Sequence, residues 1–191
     1  LNKYGFISDE LLSTYKTEGS ELISHPIRNL DNAIESSNGS LGHGLSYGLG
    51  ISFGLKNLNV KSKVYVLLGD GECNEGSVWE AAMSGSALNL TNITCIIDNN
   101  RFQSDGPTNE IINCDDLQNR WKAFGWEVIK IEGHDFNEIH KAFSLSIDKP
   151  KLILASTIKG KGIDFMENNN SWHHGRLTEA LYQEALKALE S

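Results

Sequence analysis

Lys63-Val64-Tyr65-Val66-Leu67-Leu68-Gly69-Asp70-Gly71-Glu72 drives an apolar stretch into a glycine-flanked acid. Further along, Ile93-Thr94-Cys95-Ile96-Ile97-Asp98-Asn99-Asn100 drives a second such stretch into an amide. Each run has the length and composition of a buried strand that stops on turn-forming residues. Residues 77–88, between them, read as a helix, so the unit is strand, helix, parallel strand. Glycines at a strand's carboxyl end let backbone N–H groups approach a phosphate closely. Asp70 offers a hard carboxylate oxygen suited to Mg²⁺ or Ca²⁺, and the second strand delivers Asn100 to the same crevice. In an open α/β sheet that crevice is where ligands bind. Gly-Asp-Gly is also an ordinary turn, in which Asp70 caps the next helix and Asn100 opens a loop.

The same alternation extends in both directions. Ser8-Asp9-Glu10, followed by Leu11, Leu12 and Tyr15, opens a helix with an acidic first turn. Residues 16–40 are polar and turn-forming, and include His25-Pro26. Residues 41–55 read as a glycine-rich helix with Leu41, Leu45, Leu49 and Phe53 on one stripe, packed closely against a sheet. Beyond Asn100, helices are expected at 115–124, 136–147 and 179–189, and strands at 126–131 and 151–157. Helices alternating with strands imply an α/β fold: a doubly wound, mostly parallel sheet with helices on both faces. The chain is expected to be a single domain over residues 1–191.

Composition narrows the function. Hydrophobic residues make up 39% and charged residues 22% of the 191, ordinary for a globular chain able to bury its own core. The net charge of −8, without a Lys/Arg cluster, argues against nucleic acid as a partner. No apolar run reaches the length of a membrane span, and no signal peptide is visible. Of the three cysteines, Cys95 reads as core and Cys73 and Cys114 as reduced thiols, which fits a cytoplasmic location. The Gly39-Ser40-Leu41-Gly42-His43-Gly44 loop follows no apolar strand, so it lacks the context of a dinucleotide fingerprint. That weighs against a nicotinamide-dependent dehydrogenase.

Several blocks, in order along nearly the whole chain, resemble those of transketolases. They are Gly39-Ser40-Leu41-Gly42-His43-Gly44-Leu45-Ser46, the Asp70/Asn100 pair, Glu75-Gly76-Ser77-Val78-Trp79-Glu80-Ala81-Ala82, Gln103-Ser104-Asp105-Gly106-Pro107-Thr108, Lys159-Gly160-Lys161-Gly162 and Trp172-His173-His174-Gly175. The resemblance implies the thiamine-diphosphate-binding fold, and thiamine diphosphate and Mg²⁺ as cofactors, with Ca²⁺ or Mn²⁺ as substitutes. It implies Asp70, Asn100 and the Phe102 carbonyl as metal ligands, and a Gly71 N–H that donates to the diphosphate. Gly39, Ser40 and Leu41 would lie on the cofactor's pyrimidine side. His25 would reach the substrate near the reactive carbon. His174 would contact the diphosphate and assist proton transfer, with His173 as the other candidate for that role. Glu75 would sit in a carboxylate network at a subunit interface.

The resemblance further implies transfer of a two-carbon ketol unit from a ketose phosphate to an aldose. Only the diphosphate-binding half of that machinery is represented. The chain thus resembles the amino-terminal subunit of a split transketolase, inactive alone. Its expected partner is a carboxy-terminal subunit carrying the pyrimidine-binding domain, together forming a heterotetramer. Family members carry a further histidine-bearing segment before the region of Leu1, and Leu1 is not a methionine. Two other readings stay open: a subunit of another thiamine enzyme, such as deoxyxylulose-phosphate synthase, and a non-catalytic cofactor-binding or regulatory subunit.

Overall fold

The computed structural model describes residues 1–113 and 116–190; Cys114 and the first residue of the helix expected at 115–124 lie outside them. The chain divides into two compact units, Leu1–Leu41 and Gly42–Ser191.

In the first unit, Ser8 caps α1 (Asp9–Ser13) by accepting a hydrogen bond from the Leu11 N–H at 3.1 Å. This is the acidic, capped helix start that the sequence predicts. The helix ends at Ser13, and the Thr14 hydroxyl donates to the Leu11 carbonyl at 2.7 Å. The remainder is loop, held by side chains: the Glu21 carboxylate accepts from the amides of Asn29 and Asn32.

The second unit carries the sheet. In chain order it comprises α2 (His43–Asn57), β1 (Val64–Gly69), α3 (Gly76–Ala87) and β2 (Ile93–Asn99). A small hairpin of β3 (Phe102–Gln103) and β4 (Gly106–Pro107) follows, then α4 (Thr108–Ile111) and α5 (Leu117–Ala123). β5 (Glu127–Glu132), α6 (Phe136–Ser144), β6 (Lys151–Ser156) and α7 (Glu179–Glu190) complete it. The order β1-β2-β6-β5 is parallel throughout, the doubly wound sheet expected from the alternation. In its register Gly69 lies opposite Asp98, and Asn99 and Glu132 both lie opposite Ser156, so the strands' carboxyl ends form one rim.

Helices cover both faces. On one, Leu45 and Leu49 of α2, Val78 and Ala82 of α3, and Leu117 and Trp121 of α5 pack on Val66, Leu68, Cys95, Ile97, Leu152 and Leu154. Trp121 meets Trp126 edge-to-face at 4.9 Å, and the Trp126 indole donates to the Ala82 carbonyl at 2.8 Å. On the other face, Ala142 of α6 packs with Ile131, Ile153 and Ala155. Burial raises the Cys95 thiol's pKa well above its usual value, as expected for a core cysteine.

α2 differs from its expected form. Leu41 precedes the helix and is exposed, Phe53 is 43% exposed, and the buried positions are Leu45, Gly48, Leu49 and Ser52. A strict four-residue spacing drifts off a 3.6-residue turn, so the contact face mixes steps of three and four. The close packing that its glycines suggested is real. A Cβ on Gly48 would lie 2.4 Å from Val66 Cγ2, so α2 could not sit this near β1 with any larger residue there.

Two further features belong to the sheet's margin and to its last strand. β1 is its margin, with Tyr65 and Leu67 outward and exposed. Lys151, at the start of β6, is buried, and its ammonium donates to the carbonyls of Ala142, Phe143 and Leu145. It thereby caps the carboxyl end of α6 and ends that helix at Ser144, short of the expected 147.

Candidate functional site

Asp70 follows the last residue of β1 and is 3% exposed. Its backbone is fixed on both sides: its N–H donates to the Asp98 carbonyl at 3.1 Å, and its carbonyl accepts from Cys73 N–H at 3.1 Å. The carboxylate has three donors. Oδ1 accepts from Gly71 N–H at 2.9 Å. Oδ2 accepts from Arg101 N–H at 2.8 Å and from the Thr108 hydroxyl at 3.2 Å. Among the described residues no Lys or Arg side chain forms an ion pair with it. Burial is the leading influence and raises its pKa; the three hydrogen bonds oppose that, and the nearby Asp98 charge adds to it. A buried carboxylate without a counter-charge is a group that a cation would complete.

Asn100 follows β2, and its Oδ1 accepts from Phe102 N–H at 2.9 Å. The hairpin explains where Phe102 points. Thr108 N–H donates to the Arg101 carbonyl, so the next cross-strand pair, Phe102 and Pro107, falls at a non-hydrogen-bonded position of the ladder. A proline is tolerated there, and the N–H and carbonyl of Phe102 turn away from β4, toward the Asn100 side. Arg101, between them, takes φ +66°, the left-handed turn that brings its N–H onto Asp70.

These residues fit a hard divalent cation. A carboxylate offers about four lone-pair positions and three are taken, leaving one on Asp70 Oδ1. Asn100 Oδ1 keeps one, and the Phe102 carbonyl lies outside the ladder. All three donors are oxygens, the set Mg²⁺ prefers. Among the described residues no cluster of three or more His, Cys, Asp or Glu side chains exists, so a metal here would rest on one carboxylate and need ligand oxygens from elsewhere. A diphosphate supplies such oxygens. The Gly71 N–H, expected to meet that diphosphate, is turned onto Asp70 in this structure. A Cβ on Gly71 would lie 2.6 Å from Gln103 Cβ, so the turn and the hairpin touch only because this residue is glycine.

The rest of this rim is tied in by side chains. Glu72 binds two backbone amides, Gly42 N–H at 2.8 Å and Gly69 N–H at 3.1 Å, and so ties the start of α2 to the end of β1. The Ser77 hydroxyl holds the Gly42 carbonyl at 3.0 Å. Glu75 is exposed and stands at the N-cap of α3. Asp98 accepts from the Thr157 hydroxyl, consistent with a role in shaping the rim. The Asn170 amide donates to the Ser104 carbonyl at 3.0 Å, which fastens the segment leading to Trp172-His173-His174 onto the hairpin loop. His173 and His174 are both exposed at that position. Partial burial, then the charge of Lys159, lowers the His173 imidazole's pKa. The 159–167 loop closes on itself: Glu167 accepts from Gly162 N–H at 2.9 Å and pairs with Lys161 at 3.5 Å. Together these hold its carboxyl below the usual value.

In the other unit, His25 is exposed and packs on Gly39: a Cβ there would lie 3.0 Å from His25 Cγ, and φ is +143°. Ser40 and Leu41 are exposed. The structure therefore brings Asp70, Gly71, Asn100 and Phe102 together on one rim, and places His25 beside Gly39. The residues missed by sequence reasoning are Thr108, the Arg101 amide and Glu72. Thr108 closes the Gln103-to-Thr108 block already singled out, but nothing in its spacing names Asp70 as its partner.

Residues 1–189 match the family described as the transketolase thiamine diphosphate binding domain. The chain is 43% identical over 191 residues to a subunit of apulose-4-phosphate transketolase from Phocaeicola vulgatus, covering 98% of this chain and 67% of that protein. It is 37% identical over 189 residues to the 6-deoxy-6-sulfo-D-fructose transketolase subunit SqwG of a Clostridium species, covering 97% and 69%. With human transketolase it shares 36% identity over 188 residues, 98% of this chain but 30% of that one. The fold superposes on the crystal structure of Campylobacter jejuni transketolase with a TM-score of 0.87 and 28% identity, over 95% of this chain and 30% of that one. The chain thus spans about two thirds of the subunit-type relatives and under a third of the long transketolases. On sequence and fold alike, it belongs to the transketolase family, as a thiamine diphosphate binding domain.

Proposed function

We propose that this chain is the diphosphate- and metal-binding subunit of a thiamine-diphosphate- and Mg²⁺-dependent transketolase that acts on sugar phosphates with a partner subunit. The observation that carries the reading is the rim at Asp70. There a buried, uncompensated carboxylate, an Asn100 amide oxygen and an outward Phe102 carbonyl sit together at the carboxyl end of a parallel sheet. The Phocaeicola and Clostridium relatives, each named as a transketolase subunit, support the partner.

In this reading Asp70, Asn100 and the Phe102 carbonyl would hold Mg²⁺, whose charge would favour the diphosphate at this rim. Thiamine diphosphate, when bound, supplies the carbanion chemistry by which a two-carbon ketol unit leaves a ketose phosphate and reaches an aldose. The chain's own residues place the groups and handle protons. His25 is assigned to the substrate, and His174 or His173 to the diphosphate end and proton transfer. Imidazole is the side chain suited to moving protons near neutrality, and partial burial with the nearby Lys159 charge lowers the pKa of the His173 ring. Gly39, Ser40 and Leu41 are assigned to the pyrimidine side, and Glu75 to a carboxylate link between subunits in a heterotetramer. Among the described residues no helix is long and apolar enough to cross a membrane, and a cytoplasmic assembly is the corresponding proposal.

The test is calorimetric titration with thiamine diphosphate and Mg²⁺, on the chain alone and with its partner. Saturable binding that tightens with the partner and vanishes in Asp70→Ala is the expected result. Absence of binding in the reconstituted pair would refute the reading.

A further inference from the structure

We propose that Thr108 is a positioning residue for Asp70, fixing which of its two oxygens faces a metal. This rests on the metal-binding reading above. The carboxylate could in principle turn either oxygen outward. In the structure Oδ2 is filled from both sides: the Thr108 hydroxyl donates to it at 3.2 Å and Arg101 N–H at 2.8 Å. Oδ1 takes a single donor, Gly71 N–H at 2.9 Å. The free lone pair is therefore on Oδ1.

The two anchors on Oδ2 differ in kind. The amide is set by the left-handed turn at Arg101 and can be altered only by altering that turn. The hydroxyl belongs to a side chain that is 5% exposed, at the first residue of α4. Its burial beside Asp70 leaves it no water to prefer, and a carboxylate is the stronger acceptor within reach. Thr108 thus locks the carboxylate's rotation about its own bond and leaves Oδ1 as the oxygen with an open acceptor position. Partners that orient a metal ligand in this way change metal affinity by about 10- to 100-fold when removed.

Thr108→Val and Thr108→Ser separate the hydroxyl from the bulk around it. Valine keeps the shape and removes the donor; serine keeps the donor and removes a methyl. Mn²⁺ is the probe, and loss of its free-ion paramagnetic resonance signal in the presence of thiamine diphosphate reports binding by the full chain with its partner. Thr108→Val is expected to weaken Mn²⁺ binding about 10- to 100-fold, and Thr108→Ser to stay within about threefold of the unsubstituted protein. Melting of the metal-free proteins shows whether each variant is folded. Unchanged affinity in Thr108→Val would overturn the proposal, and so would equal weakening in both variants, which would mean packing alone. If the unsubstituted complex takes up no Mn²⁺ at all, the metal-binding reading itself fails, a result distinct from either of these.

Discussion

Gly42 is the position where one added methyl group is expected to do the most damage. It stands at φ +80°, in the turn that opens α2. A Cβ there would lie 2.5 Å from Ser77 Oγ and 2.6 Å from Glu75 Cβ. Neither neighbour is free to retreat, because Ser77 holds the Gly42 carbonyl and Glu75 starts α3. The left-handed backbone costs an L-residue about 1–2 kcal/mol, and overpacking costs about 1–3 kcal/mol more. Gly42→Ala should therefore lose about 2–5 kcal/mol, a fall of roughly 4–20 °C in melting temperature for a chain of this size. Gly50→Ala is the matched control. Gly50 lies inside α2 with nothing within 4 Å of its missing Cβ, so the same methyl should gain about 0.5–1 kcal/mol. All four tryptophans lie in the second unit, so urea unfolding followed by their fluorescence reads that unit alone. Equal stability of Gly42→Ala and the unsubstituted chain would refute the reasoning. So would a loss of the same size in Gly50→Ala, since that would make the cost one of any methyl on this helix.

Two other expectations concern charge. Burial raises Asp70's pKa in the folded, metal-free chain, so the native state binds a proton before the unfolded chain does as pH falls. The cost of holding it ionised is full above the raised pKa and is relieved on acidification through it, so Asp70 makes the metal-free protein steadier toward acid. Asp70→Asn should flatten that component of the unfolding free energy measured from about pH 7 to about pH 4; an identical profile would contradict it. Lys151→Met keeps the buried stem and deletes the donor to the carbonyls of Ala142, Phe143 and Leu145. Leaving a buried carbonyl such as that of Ala142 unpaired costs about 1–3 kcal/mol, and the partly buried carbonyls of Phe143 and Leu145 add less. Allowing for the desolvation that the ammonium itself suffers, a net loss of about 2–4 kcal/mol is expected, read by urea unfolding. A neutral result would mean that water replaces the cap.

The sheet was legible because β1, β2 and β6 contain apolar runs that stop on turn-forming residues, β5 alternates, and helical stretches separate them. The rim was legible because Asp70 and Asn100 end consecutive strands. What could not be read falls into two kinds. Elements too short to show a period, such as the hairpin at Phe102 and Pro107 and the four-residue α4, leave no pattern in a sequence. Partnerships set only by tertiary approach leave none either. Thr108 reaches Asp70, Glu72 reaches Gly42, and Lys151 reaches the end of α6 only once the chain has folded. The four-residue stripe on α2 departs from the structure for a plainer reason: a spacing of four outruns the true turn and carries Phe53 off the buried face, and Leu41 lies ahead of the helix altogether.

The order of the sheet gives the two side chains among its metal-ligand candidates unequal footing. Asn100 hangs from β2, which has a neighbour on each side, whereas Asp70 hangs from β1, a margin strand held by one ladder. Local opening spreads inward from such margins. The contacts from Arg101 and Thr108 therefore join the end of an edge strand to the segment leaving an interior strand, as well as orienting a carboxylate. A ligand bound across both would stitch the border of the sheet to its middle.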